Sequence, residues 1–407
     1  MDRARPPQPW LSIIGIGEDG LQGLSARARA ALSSAAIVYG GRRHLSLAAV
    51  AIAGEARAWP SPFEGAYAEI AALAGRPVAV LASGDPFHYG VGSILAARLP
   101  PGAFVGYPKA SSFSLAAARL GWAIQDVACL SAHARPAGIV LRHLRPGARL
   151  LVLAHDGDTL AEIAAMLAEA GHSDARLVAL AHLEGPEETI AAHDVASAGV
   201  ARTADLAVIA VEIPAGSRGD ALPLSPGLPD RRFENDGQLT RAPQRAMTIA
   251  ALAPSPGGLL WDVGAGSGSV AIEWCLAHPA NRALAFERDP QRAARIARNA
   301  ARHGVALAIV PGEAPASLAG ASTPDAVFVG GGVSIPGLID ACFGALRPGG
   351  RLVANAVTIE GEATLIEARR RLGGELTRHG LDRLDEVGRF TAWRPAMAVV
   401  QYAVAKP

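Results

Sequence analysis

The chain has 407 residues, half of them hydrophobic and 18% charged, with a formal net charge of +1. That balance excludes a disordered polar chain and leaves room for two or three folded domains. It also counts against a dedicated nucleic-acid binder, which carries a basic excess. Lys109 and Lys406 are the only lysines, so arginine supplies nearly all the positive charge and suits bidentate recognition of carboxylates. Cys129, Cys275 and Cys342 lie far apart, with neither metal spacing nor a disulfide framework. The opening MDRARPPQPW lacks a signal-peptide core, and no apolar run reaches the length of a membrane span. A cytoplasmic protein with no metal and no membrane partner is expected.

In chain order, residues 10–16 read as a buried strand that runs into Gly15-Ile16-Gly17-Glu18-Asp19-Gly20. Ser25 suits the cap of a helix reaching about residue 35. Strands follow at 36–39 and 77–82, the second passing into Ser83-Gly84-Asp85-Pro86-Phe87-His88-Tyr89-Gly90. Gly-Asp-Pro fixes a turn at the carboxyl end of a strand, where open α/β sheets bind ligands. A strand at 104–107, a helix at 111–120, a strand at 150–154, a helix at 159–170 and strands at 176–180 and 206–213 complete a domain spanning 1–214. Residues 215–236 are rich in proline, glycine and charge without periodicity, and read as a linker.

Residues 237–407 form a second domain of about 170 residues, an ordinary size. Thr240 is expected to cap the helix that begins with Arg241-Ala242-Pro243-Gln244-Arg245. A strand at 258–261 leads into Asp262-Val263-Gly264-Ala265-Gly266-Ser267-Gly268, and a helix over 269–277 follows, with Val270, Ile272 and Leu276 on one face. The next strand, 283–286, is closed by Glu287. Further strands are expected at 306–310, before Pro311-Gly312-Glu313-Ala314-Pro315, and at 325–329, before Gly330-Gly331-Gly332. A helix at 290–302, a strand at 352–357 and a tail over 397–404 as the antiparallel edge strand complete a mostly parallel, Rossmann-like α/β sheet.

Strand, glycine turn and helix make the context of a nucleotide-binding turn. Gly264, Gly266 and Gly268 let the backbone turn tightly and approach a ligand without a Cβ between them. Glu287 lies about 20 residues beyond, where an acidic side chain accepts hydrogen bonds from both ribose hydroxyls. The later glycine of the dinucleotide pattern is missing, so a nucleoside without phosphate fits better, S-adenosyl-L-methionine being the common one. No Ser-His-Asp or paired-carboxylate constellation is evident, as expected for methyl transfer, where alignment supplies the main contribution. Arg241, Arg245 and Arg351 are the candidates for holding substrate carboxylates. His133 and His182, which could handle protons, are set aside because a lone histidine is more often structural.

Through LTRAPQR, DVGAGSGSVAIEW, PGEAP and VFVGGG, the C-terminal half resembles class I S-adenosylmethionine-dependent methyltransferases, and among them those acting on precorrins. Through IIGIGEDGLQGLS, ASGDPFHYGVGS and SSFSLAAARLGW, the N-terminal half resembles the tetrapyrrole methylases, whose fold has two α/β subdomains. Glu18-Asp19 stand where those enzymes generally read Pro-Gly, and Ala134 and Glu184 stand at frequent glycines. Fused in this order, the halves resemble the decarboxylating precorrin methyltransferases of cobalamin biosynthesis. The resemblance implies two S-adenosyl-L-methionine sites per chain. Gly17, Gly84, Asp85, Pro86, Ser111 and Ser112 match the first; Thr240, Gly264, Ala265, Gly266, Ser267, Gly268, Glu287 and Ala314 match the second. It further implies a tetrapyrrole substrate, precorrin-6Y, methylated at carbon 5 by the first half. Methylation at carbon 15 with loss of the carbon 12 acetate carboxyl falls to the second, giving precorrin-8X. A homo-oligomer is expected. Two rivals stay open: a single-site methyltransferase of RNA or protein, and an N-terminal half that only binds the tetrapyrrole.

Overall fold

The computed structural model describes residues 9–407 except 61, 62, 64, 134 and 135. They form two compact units that part between Asp220 and Ala221. In the first, β1 (Leu11–Ile16), β2 (Ile37–Gly40), β3 (Glu55–Ala58), β4 (Val78–Ser83) and β5 (Phe104–Tyr107) lie in the order β3-β2-β4-β1-β5, all parallel. The central strands are covered on both faces. Ile14, Ile16 and Leu81 pack with Ala28 and Leu32, while Ile13 and Val80 pack with Tyr67 and Leu95. Burial on both sides is why these strands read as continuous apolar runs.

A second sheet in this unit has the order β6-β7-β10-β8-β9. Its strands are β6 (Ala128–Ser131), β7 (Arg149–Leu153), β8 (Arg176–Ala181), β9 (Thr189–Asp194) and β10 (Ala207–Glu212). Only the β6–β7 pair is parallel. Strands β3, β6 and β9 are not among the elements expected from the sequence. Each lies at a sheet edge, and β3 and β9 are mostly exposed, so no apolar run marks them.

The second unit holds β11 (Leu259–Val263), β12 (Arg282–Glu287), β13 (Ala308–Pro311), β14 (Ala326–Val329), β15 (Arg351–Ala356), β16 (Glu375–His379), β17 (Asp382–Val387), β18 (Phe390–Pro395) and β19 (Val399–Ala405). Seven of them form one sheet in the order β13-β12-β11-β14-β15-β19-β16. The run β13 to β15 is parallel, and β19 and β16 are antiparallel to their neighbours. The tail is thus antiparallel as expected, but β16 lies outside it, so β19 is not the edge. Among the described residues, strands β17 and β18 pair only with each other. The chain leaves β11 toward β12 on one side and later returns to β14 on the other. This puts the topological switch point at the carboxyl ends of β11 and β14.

The stretch expected as a linker is divided between the units. Ser217 is buried in the first, 2.7 Å from Asp174 Oδ1 and 2.9 Å from His172 Nδ1. From Ala221 onward the chain belongs to the second unit, where Leu228 and Phe233 pack with Ile249, Leu252 and Trp274. It reads as a connection because side chains, not a ladder, take up its backbone groups. Gly227 and Leu228 N–H donate to the Glu273 carboxylate at 2.7 and 2.9 Å, and Glu234 N–H donates to Asn299 Oδ1 at 2.8 Å. No helix among the described residues is long and apolar enough to cross a membrane.

Candidate cofactor sites

Strand β11 is buried along its length and delivers the chain to Gly264. Gly264, Gly266 and Gly268 all adopt left-handed backbone, with φ of 71°, 59° and 74°. A Cβ on Gly264 would lie 2.8 Å from the backbone of Gly331, in the turn after β14. The two glycine turns therefore approach more closely than any side chain allows. At Gly266 the nearest atom to such a Cβ is 3.7 Å away, so its backbone faces open space. Gly268 N–H donates to Ala265 O at 2.8 Å and starts the helix Ser269–Ala277, which is buried on more than the one face expected.

Two carboxylates secure this turn. Glu287, buried at the end of β12, accepts from Gly266 N–H at 2.8 Å through Oε2 and from Asp289 N–H at 3.0 Å through Oε1. Each oxygen keeps a lone pair for another donor. Asp262 Oδ2 accepts from Ala271 N–H at 3.0 Å. Burial pushes the Asp262 carboxyl up to about 7; the Ala271 hydrogen bond works against the rise and the Glu287 charge adds to it.

A cavity of about 1250 Å³ opens over these strand ends. Thr240, Gly264, Ala265, Gly266, Ser267, Glu287 and Ala314 all line it; Gly268 stands behind, turning the chain into the helix. A cradle that a Cβ would fill, and a fixed carboxylate with lone pairs to spare, fit a nucleoside without phosphate.

Three expectations are corrected here. Thr240 is not the helix cap: the helix Ala242–Leu252 starts after Arg241, and Asp230 Oδ1 accepts from Ala242 N–H at 2.9 Å. Arg245 is fully buried, engaged at all its nitrogens with Glu273, Thr240 O, Leu228 O and Asp230, and lies 4.6 Å from the Phe233 ring centroid. A guanidinium so enclosed holds the fold and cannot reach a substrate. Arg351 opens β15, at the amino end of the sheet, and its side chain reaches Ala251 O at 3.4 Å, on the side away from the cavity. Arg241 does line the cavity, mostly exposed, 3.4 Å from Asp230 Oδ2. Sequence reasoning missed Arg383 and Arg394, which also line it, because their hairpin carries no buried apolar face to mark it as structure.

In the first unit the loops after β1, β4 and β5 converge. Gly84, with φ of 52°, donates its N–H to Ile16 O at 3.1 Å and accepts from Lys109 N–H at 3.3 Å. A Cβ on Gly15 would strike Gly84 O, and one on Gly84 would meet Ala110 O at 3.0 Å. Gly17, the Gly84-Asp85-Pro86 loop and Ser111-Ser112 are thus brought to one place. Asp85 Oδ1 accepts from Phe87 N–H at 2.9 Å and holds the loop's turn. Ser111 caps the helix Ser112–Leu120 through Ser114 N–H at 3.2 Å.

Glu18, Asp19 and Glu184, which depart from the tetrapyrrole methylase pattern, meet at this spot. Lys109 Nζ lies 2.6 Å from Asp19 Oδ2 and is also ion-paired with Glu184. Burial works against the ammonium, but its hydrogen bonds and charge attraction to Asp19 and Glu184 outweigh it and hold its pKa above the ordinary lysine value. Glu18 is paired with Arg43 and lies 3.4 Å from His182 Nδ1. His182 and Glu184 both adopt positive φ, 49° and 67°, a conformation that favours glycine. Ala134 lies outside the described residues. His133 is 6.1 Å from His155, ring to ring, and takes no part in this network.

Residues 11–198 match the family of tetrapyrrole (corrin/porphyrin) methylases, and residues 231–406 match the precorrin methyltransferase domain. A precorrin-6Y C(5,15)-methyltransferase [decarboxylating] of Sinorhizobium sp is 49% identical over 98% of this chain and 97% of its own. The chain belongs to the decarboxylating precorrin-6Y C(5,15)-methyltransferase family. A Mycobacterium tuberculosis (strain ATCC 25618 / H37Rv) protein with the same description is 40% identical over 97% of this chain and 99% of its own. The crystal structure of the C-terminal domain of a precorrin-6Y C5,15-methyltransferase from Rhodobacter capsulatus is 42% identical. It covers 46% of this chain and 100% of that chain, with a TM-score of 0.44. Membership accounts for two α/β units of different topology in one polypeptide.

Proposed function

We propose that this chain methylates precorrin-6Y at carbons 5 and 15 and removes the carboxyl of the carbon 12 acetate as carbon dioxide, giving precorrin-8X in cobalamin biosynthesis. The observation that carries this reading is the 49% identity to the Sinorhizobium protein of that description across 98% of the chain, which takes in both units. Two S-adenosyl-L-methionine sites per chain belong to the proposal. Gly17, Gly84, Asp85, Pro86, Ser111 and Ser112 hold one; Thr240, Gly264 to Gly268, Glu287 and Ala314 hold the other. Carbon 5 is assigned to the first unit; carbon 15 and the decarboxylation are assigned to the second. A cytoplasmic homo-oligomer that binds no nucleic acid completes it.

The bound methyl donor supplies an electrophilic methyl on a sulfonium, whose leaving group is neutral. The chain is then left with alignment and exclusion of water, not acid catalysis. Gly264 and Gly266 keep side chains out of the way, and Glu287, fixed by two amides, accepts the ribose hydroxyls. Val263, Phe286, Ile335 and Leu338 supply apolar wall. For decarboxylation, the bond between the acetate methylene and its carboxyl breaks and carbon dioxide leaves. The electron pair enters the conjugated ring, and a solvent proton completes the methyl group. Arg241 is retained as a candidate for holding a substrate acid.

The test is incubation of the purified chain with S-adenosyl-L-methionine and precorrin-6Y, followed by product masses. The reading expects a gain of two methyl groups and loss of carbon dioxide. An unchanged tetrapyrrole, together with tight, salt-sensitive binding of transfer RNA, would replace it with the nucleic-acid reading.

A further inference from the structure

The β17–β18 hairpin stands apart from the sheet, and all residues of both strands are exposed. A lone two-stranded hairpin is marginal in water and adds little to a core. Yet Arg383, Asp385 and Arg394 form part of the cavity wall. Arg383 and Arg394 are directly opposite each other in the ladder, and the next pair, Leu384 and Trp393, falls on the other side by strand alternation. Like charges directly opposite weaken a strand pair, so this pairing disfavours the hairpin as it stands.

The other arginines of the cavity each stand beside a carboxylate. Arg288 lies 3.0 Å from Glu313, Arg292 lies 2.9 Å from Asp236, and Arg241 lies 3.4 Å from Asp230. Arg394 is 3.4 Å from Asp385. Among the described residues, Arg383 has no carboxylate partner. The cavity thus carries an unmatched guanidinium, directly opposite a second one that pairs with Asp385. Its volume of about 1250 Å³ also exceeds the roughly 300–1,000 Å³ of an ordinary small-molecule site. Room for a second ligand beside a nucleoside is present, and the arginine pair gives that ligand its charge.

We propose that Arg383 and Arg394 bind carboxylate side chains of the tetrapyrrole, making the hairpin the arm that selects a polyacidic macrocycle. This rests on the functional reading above. Precorrins carry acetate and propionate groups around the ring, and a guanidinium fork matches a carboxylate in two hydrogen bonds. A carboxylate between the two arginines also offsets their mutual repulsion.

The test is steady-state kinetics of the full chain carrying R383Q and R394Q, with precorrin-6Y and S-adenosyl-L-methionine varied separately. The KM for precorrin-6Y is expected to rise about tenfold or more, with kcat within about twofold and the KM for the methyl donor unchanged. R383K with R394K should recover part of the loss, and added salt should raise the wild-type KM more than that of the glutamine variant. An unchanged KM for precorrin-6Y in the glutamine variant overturns this proposal and leaves the functional reading standing. Equal loss of both ligands overturns it too, since it points to a general collapse of the cavity. A wild-type chain that leaves precorrin-6Y untouched overturns the functional reading, and this inference with it.

Discussion

A glycine turn follows the first strand of a wholly or mostly parallel sheet in each unit, yet the two have opposite surroundings. Beyond β11, the turn exposes Gly266 to a large cavity, and one buried carboxylate grips its amide. Beyond β1, polar side chains from three other segments meet beside the turn: Arg43 after β2, Lys109 after β5, and His182 with Glu184 after β8. Glycines supply clearance in both places. What is done with that clearance depends on the charges around it. In the second unit they are spent inside the turn itself; in the first they tie one α/β subdomain to the other.

That contrast can be broken most sharply at Gly266. Replacing it with arginine puts a long side chain into the cavity from a backbone with φ of 59°. Calorimetry with S-adenosylhomocysteine should fall from two equivalents per chain to one. A wild-type value of one, lost altogether in Gly266→Arg, would mean that the first unit binds no cofactor.

Next in size is the paired test of Glu287→Ala and Asp85→Ala. Glu287 makes two charge-assisted hydrogen bonds, so its loss should weaken cofactor binding by about 2 kcal/mol or more and suppress carbon 15 methylation with decarboxylation. Asp85 makes one hydrogen bond, holding its loop, so its removal should cost about 1 kcal/mol and affect carbon 5 alone. Product masses separate the two, and simultaneous loss of all activities in either variant would end the proposed division of labour.

Lys109→Met probes the other side of the contrast. It leaves Asp19 and Glu184 without their cation and should destabilise the first unit by about 1–2 kcal/mol, with the second unit's unfolding unaltered. Tighter S-adenosylhomocysteine binding by the first unit of this variant would mark the ion pairs as a barrier the cofactor must displace. The last test concerns Asp262. Its folded pKa, about 7, lies above the unfolded value of 3.8, so between these the folded chain keeps a proton that the unfolded chain has released. Stability of the second unit should therefore fall as pH rises from about 4 to 7 and level off above. Urea midpoints across that range should show the slope in the wild type and lose it in Asp262→Asn.

Much of this architecture was legible in the sequence, and the exceptions share causes. Strands buried on both faces announce themselves as apolar runs, so β1, β4, β11, β12 and β14 fall within a residue or two of expectation. Edge strands such as β3, β9 and β16 lack that signal, and the β17–β18 hairpin has no buried face at all. Glycine turns and Glu287 were legible because backbone geometry restricts them to a narrow residue choice. Arginines were not: Arg245 and Arg351 look alike in the sequence, but one is enclosed by Glu273 and the other projects at the wrong end of the sheet. A guanidinium shows its role only when its counter-ions are known.

The Glu273 carboxylate, which takes the amides of Gly227 and Leu228 as well as Arg245, bears on where the two halves were joined. A piece of the chain beginning at Gly237 would lack Leu228 and Phe233, would take Leu228 O and Asp230 from Arg245, and would take the Gly227 and Leu228 amides from Glu273. A piece beginning at Ala221 would keep them. By composition the stretch from Ala221 to Asp236 looks like a tether, but it is the second half's own first segment. The fusion seam therefore lies upstream of it, and any natural or engineered separation of the halves that respects folding should cut there.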